Sequence, residues 1–116
     1  MTSKKLCHIV VAALEELKAH EIQIIDVRKL TSIADYMIFA SGNSNRQVKA
    51  LADKTIEAAK SEKIIPLGTE GVREGDWALV DLGDVIVHIM RPVIRDYYQL
   101  EKLWSVDTRT MSSLST

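Results

Sequence analysis

The chain has 116 residues, one domain's worth, and its hydrophobic fraction of 47% suffices for a single core without disulfide staples. With 15 Lys and Arg against 16 Asp and Glu the net charge is −1, which argues against a dedicated nucleic-acid binder, since such proteins carry a basic excess. The one cysteine, Cys7, excludes an internal disulfide and points to a reducing, cytoplasmic setting.

From Lys4 to His20 apolar residues fall at Leu6, Ile9, Val10, Ala13, Leu14 and Leu17, the spacing of a helix with one buried stripe, and Ser3 is a candidate N-cap. Cys7 sits in that stripe and reads as a small core residue. Glu15, Glu16 and Lys18 break the run, leaving it too short and too charged for a signal peptide or a bilayer span, so a soluble protein without membrane contact is expected. Ile22 to Val27 is rich in β-branched residues and of strand length. Leu30 to Ala34 reads as a connection. Tyr36 to Ala40 is almost continuously apolar, which suits a central strand buried on both faces.

A loop from Ser41 to Asn45 follows, and Ser44 with Gln47 forms an S-x-x-Q capping box. The helix it opens carries Val48, Leu51, Ala52, Thr55, Ile56 and Ala59 on one face and Arg46, Lys49, Asp53, Lys54, Glu57 and Lys60 on the other. That second face reads as solvated, with contact to RNA phosphates the lesser reading. Ile64 to Leu67 is a short strand candidate, and Pro66 puts it at a sheet edge. Gly68, Gly71 and Gly75 mark a loop. Trp77 to Met90 is a hairpin, and Pro92 opens a last helix bearing Ile94, Tyr97, Tyr98, Leu100, Leu103 and Trp104. After Ser105 the chain turns to Ser and Thr. The expected organisation is one domain over 1–105 and a frayed tail over 106–116. The order α β β α β β β α implies an α+β fold, a single mixed sheet of about five strands with helices packed on it.

Chemistry is sparse. His8, His20 and His88 are scattered, and no His-x-x-x-His or Cys-x-x-Cys pair exists, so no metal site or cofactor is implied. Ser41-Gly42-Asn43-Ser44 is not a nucleophile elbow, and Ser44 is already a cap. A phosphate-binding role for the Ser41-Gly42 loop, as in a nucleotidyltransferase, lacks the convergent acids that would hold Mg²⁺. Asp81 and Asp84 flank the hairpin turn, where turn chemistry accounts for Asp84. A two-residue turn at Gly83-Asp84 pairs Trp77 with Met90, Leu79 with His88 and Val80 with Val87. A slip to Leu82-Gly83 is the alternative, and it sets Asp81 against Asp84. In either register Trp77, His88 and Met90 gather at one end, beside Pro92. This cluster is either core under a helix or a surface for a macromolecular partner, for which Trp and Met are well suited. An apolar patch there can also pair with a second copy by two-fold symmetry.

One ordered set of segments narrows the choice. Asp26-Val27, Ser32-Ile33-Ala34-Asp35-Tyr36, Ser41 to Val48, Pro66-Leu67-Gly68 with Glu70-Gly71, Asp76-Trp77, Asp81 to His88, and Tyr98 with Leu100 to Trp104 together resemble the ribosomal silencing factor family, also called Iojap-like. The likeness covers nearly everything from Leu6 to Ser105. Asn43 and Asn45 depart from the Thr and Ser common there. The resemblance implies a nucleotidyltransferase-like topology without its catalytic acids, and a protein that is not an enzyme. It implies docking on the large ribosomal subunit through its ribosomal protein number fourteen, which sterically blocks the small subunit and lowers translation when nutrients are scarce. Carried onto this sequence, the contact residues are Trp77, Leu82, His88, Met90, Tyr98 and Lys102. Trp77 and Met90 are then expected to stand open to solvent as apolar anchors, with Leu82 at the hairpin end, His88 and Tyr98 as polar contacts and Lys102 as a rim charge.

Overall fold

Apolar spacing sets the first element, helix α1 (Ser3–Glu16), whose stripe of Leu6, Cys7, Val10, Ala13 and Leu14 is buried. The computed structural model describes residues 1–100 and 102 of the chain. Thr2, not Ser3, caps α1: its hydroxyl accepts from the Lys5 N–H at 3.1 Å. The helix stops four residues before the expected His20, because Lys18 turns to a left-handed φ of 62° and His20 enters strand β1 (His20–Asp26) opposite Ser41. The register is irregular between His20 and Gln23, where Glu21 also has positive φ.

Strand β2 (Tyr36–Ser41) is buried from Met37 onward, as its continuous apolar run predicts. Helix α2 (Asn45–Ser61) begins with the predicted cap, Ser44 Oγ accepting from Gln47 N–H at 3.1 Å. Gln47 departs from the standard box. Its Oε1 accepts from Asn43 N–H at 2.7 Å, and its Nε2 donates to the carbonyls of Leu17 and Lys18, tying the start of α2 to the end of α1.

Strands β3 (Gly68–Glu70), β4 (Trp77–Asp81) and β5 (Val85–Met90) and the short helix α3 (Pro92–Tyr98) complete the chain. The sheet order is β1-β2-β5-β4-β3, with β2 and β5 parallel and every other pair antiparallel. The fold is therefore the expected mixed five-stranded sheet with helices. The edge strand starts later than Ile64 to Leu67: the Leu67 N–H donates to Asp81 at 2.8 Å, and regular pairing begins only at Gly68.

Strand alternation divides the apolar residues between two cores. On one face Ile38, Ala40, Ala78, Val80, Leu82, Val85, Val87 and Ile89 pack under α1 and α2. On the other, Ile25, Met37, Phe39, Ile86 and Met90 meet Val27 and Ala34 of the β1–β2 connection, with Ile94 and Leu100 against them. No helix among the described residues is long and apolar enough to cross a membrane. The tail expected over 106–116, and Leu103 and Trp104 of the last apolar stripe, lie outside the described residues.

Candidate functional site

The β4–β5 hairpin sets the site. Its turn is Gly83-Asp84, with the Leu82 N–H on the Val85 carbonyl at 2.9 Å and Gly83 at φ 92°. Trp77 then faces Met90, Leu79 faces His88 and Val80 faces Val87. This is the first of the two registers considered above, and it keeps Asp81 away from Asp84. Gly71, at φ 70°, passes so close beneath β4 that a Cβ there would collide with the Trp77 carbonyl oxygen.

Side chains on the second face form a chain of ring contacts running from core to solvent. Phe39, fully buried on β2, lies parallel to the His88 ring, with centroids 4.8 Å apart and planes within 7°. His88 sits diagonally from Trp77 across the hairpin, and its Nδ1 accepts the indole N–H at 3.2 Å. Trp77, half-buried, meets the Tyr98 ring at 5.3 Å, and Tyr98 meets Tyr97 edge-on at 4.9 Å. The outer members are open: Tyr98 is 52% exposed and Tyr97 78%. Burial holds the His88 ring neutral, pulling its pKa from 6.5 down to about 4. Because the indole N–H only donates, the neutral ring must carry its proton on Nε2.

Helix α3 is fixed over this face at both ends. Pro92 occupies its first turn, and the Arg91 N–H donates to the Asp76 carbonyl at 3.0 Å. Arg95, buried, donates from Nη1 to the buried Ser41 hydroxyl at 2.8 Å, tying α3 to the end of β2. Its charge also complements the carbonyl end of α3.

The six residues singled out in the sequence thus separate. Trp77, His88, Met90 and Tyr98 do come together. Met90, however, is fully buried, not open to solvent as expected: β5 is a central strand, and Phe39, Ile94 and Leu100 belong to the cluster that seals it. Leu82 is 6% exposed and points to the opposite face, under α1 and α2. It also lies just past the end of β4, five residues on from Trp77, about 17 Å at the rise of a strand. His88 is 7% exposed and engages Trp77, so it has little surface to offer as a direct contact. Lys102 is exposed.

Sequence reasoning missed Tyr97 and Val93, exposed four apart on α3, and the buried Arg95. The signal for the first two was present: a seven-residue helix cannot bury apolar residues all round. Nothing in the sequence marks Arg95 as buried.

The Ser41-Gly42 loop is engaged in part. The N–H groups of Gly42, Asn43, Gln47 and Val48 donate to Met90, Gln47, Ser44 and Ser44 respectively, so these four are not available to a phosphate. Among the described residues no group of three or more His, Cys, Asp and Glu could hold a metal ion.

Comparison with known proteins converges. The family model described as ribosomal silencing factor during starvation matches residues 1–115. A ribosomal silencing factor of Chromobacterium violaceum is 45% identical over 104 residues, covering 90% of this chain and 85% of that protein. A crystal structure of a Chromobacterium violaceum protein superposes with a TM-score of 0.89 at 45% identity, covering 90% of this chain and 88% of its own. More distantly, the Mus musculus protein named mitochondrial assembly of ribosomal large subunit protein 1 is 32% identical over 101 residues, 84% of this chain and 44% of that protein. The chain belongs to the ribosomal silencing factor family.

Proposed function

We propose that the protein docks on the large ribosomal subunit through its ribosomal protein number fourteen, and that its bulk then excludes the small subunit and lowers translation during starvation. The contact is centred on Trp77 and Tyr98, with Tyr97 and Val93 of α3 beside them and Lys102 at the rim. His88 and Met90 support this surface from beneath, and Leu82 serves only the hairpin's own packing.

The observation that carries the reading is the half-buried indole of Trp77, held against the tilted His88 ring on one side and Tyr98 on the other, in a chain whose family is named for silencing ribosomes. Rigid aromatic groups of this kind make interface hot spots, because they desolvate a large area at small cost in conformational entropy. The name of the mouse relative supports the choice of the large subunit.

Sedimentation with isolated large subunits, isolated small subunits and joined ribosomes tests this. The protein is expected to migrate with the large subunit alone and to reduce the joined fraction. Trp77→Ala removes the central anchor, typically worth about 2–4 kcal/mol, so its affinity should fall by tens to hundreds of fold. Wild-type pelleting by a folded Trp77→Ala protein would refute the anchor assignment.

A further inference from the structure

We propose that His88 is a positioning residue for docking: it holds the Trp77 indole in the orientation that the ribosomal partner receives and keeps the indole N–H satisfied. This rests on the docking reading above. The geometry supports it on three counts. His88 itself is almost inaccessible, so its influence on a partner must pass through what it touches. Its ring plane is fixed by the parallel stack on Phe39, a residue with no exposed surface on an interior strand. Its Nδ1 faces the indole N–H across one diagonal of the hairpin, at 3.2 Å.

Two consequences follow for the indole. A tryptophan on an open sheet face can otherwise sample several rotamers, and freezing one on binding costs free energy. Held between His88 and Tyr98, the ring has already lost that freedom in the unbound protein. The N–H is the second matter. A docked indole whose donor found no acceptor would carry a desolvation penalty. An internal acceptor removes that penalty and lets the exposed ring edge meet an apolar surface.

The test uses full-length protein carrying isotope-labelled tryptophan in a Trp104→Phe background, so that the Trp77 indole N–H gives the only indole signal. Three variants are compared with it: His88→Phe, which keeps a ring for the Phe39 stack but has no acceptor; His88→Asn, whose amide oxygen can take the place of Nδ1; and Trp77→Phe, which removes the donor. In His88→Phe the indole N–H should exchange with solvent about tenfold faster, and affinity for large subunits should drop about tenfold, the scale of one net hydrogen bond. His88→Asn should recover most of both. In the Trp77→Phe background, His88→Phe should cost no further affinity, because nothing remains for it to position.

Unchanged exchange in a folded His88→Phe protein overturns the proposal. So does an equal loss of docking in the Trp77 and Trp77→Phe backgrounds, which would mean that His88 meets the partner directly or acts only through general stability. Failure of the wild type to bind large subunits overturns the docking reading instead, and the exchange measurement then judges the hold of His88 on Trp77 by itself.

Discussion

Mild acid should destabilise this protein through His88. In the folded chain the ring is buried and neutral, with its pKa lowered to about 4 from the ordinary 6.5. Unfolding returns it to water, where it takes up a proton. Between those two values the unfolded chain binds more protons than the folded one, so stability is complete above pH 6.5 and declines as pH falls toward 4. The 2.5-unit interval corresponds to about 3 kcal/mol, of which about 2 kcal/mol is lost between about pH 7 and pH 5. For a domain of this size that is a large fraction of the whole. The local consequence is specific, since a doubly protonated ring cannot accept the Trp77 N–H. Asp26 does not confuse the window: Arg28 hydrogen bonds hold its carboxyl below its usual 3.8, so its contribution is lost only at lower pH. Urea unfolding followed by far-UV circular dichroism at about pH 7 and pH 5 measures the effect. A His88→Asn variant, which cannot titrate there, supplies the background from all other groups. Wild type should lose about 2 kcal/mol more than the variant over this interval. Equal losses would refute the buried, neutral ring and the hydrogen bond drawn to it.

Two substitutions separate core from surface. Met90→Leu conserves volume at a sealed site, so it should cost less than about 1.5 kcal/mol in urea unfolding and leave sedimentation with large subunits unchanged. A loss of docking without a loss of stability would place Met90 in the contact after all. Gly71→Ala must adopt a left-handed φ and push its Cβ into the Trp77 carbonyl, so the melting midpoint should fall by an amount corresponding to about 1–3 kcal/mol. An unshifted midpoint would show that β4 can retreat from the Gly71 loop at little cost.

Much of this fold was legible because its elements follow simple periods. The stripe on α2 is a strong helix signal, the unbroken apolar run at Tyr36 to Ala40 is the mark of an interior strand, and the Gly-first turn preference gave the observed hairpin register as one of two. The boundaries were harder. The first helix reads as continuing to His20, since nothing local announces that Lys18 will turn left-handed. The edge strand was displaced because Ile64 to Leu67 has strand composition, while pairing starts at Gly68. The site was legible in membership but not in layering. Spacing puts Trp77, His88 and Met90 on one face, yet their depth depends on what α3 covers, which is a tertiary fact. The buried Arg95–Ser41 pair, which sets that cover, joins residues 54 apart and has no local signature. Leu82 shows the converse: alternation already assigns it to the face opposite Trp77, and its placement in the contact came only from the resemblance.

The burial of Met90 changes the division of labour without removing the docking surface. A flexible thioether open to solvent would have to be ordered on binding, at a cost that Trp and Tyr, with two side-chain torsions each, largely avoid. Sealed in the second core, Met90 instead fills the space under rigid groups, a use suited to its adaptable shape. Those groups share one reference. Phe39 and Ser41 stand two apart on β2 and so point to the same face. Phe39 backs His88 and through it Trp77, while Ser41 receives Arg95 and through it holds α3, which carries Tyr98. The spacing between Trp77 and Tyr98 is therefore referred to neighbouring positions of one buried strand, with the Arg91–Asp76 hydrogen bond as a further tie on α3. A contact surface built this way is preorganised to the degree that the sheet itself is rigid, and its precision falls if β2 shifts or if either of these links to it is cut.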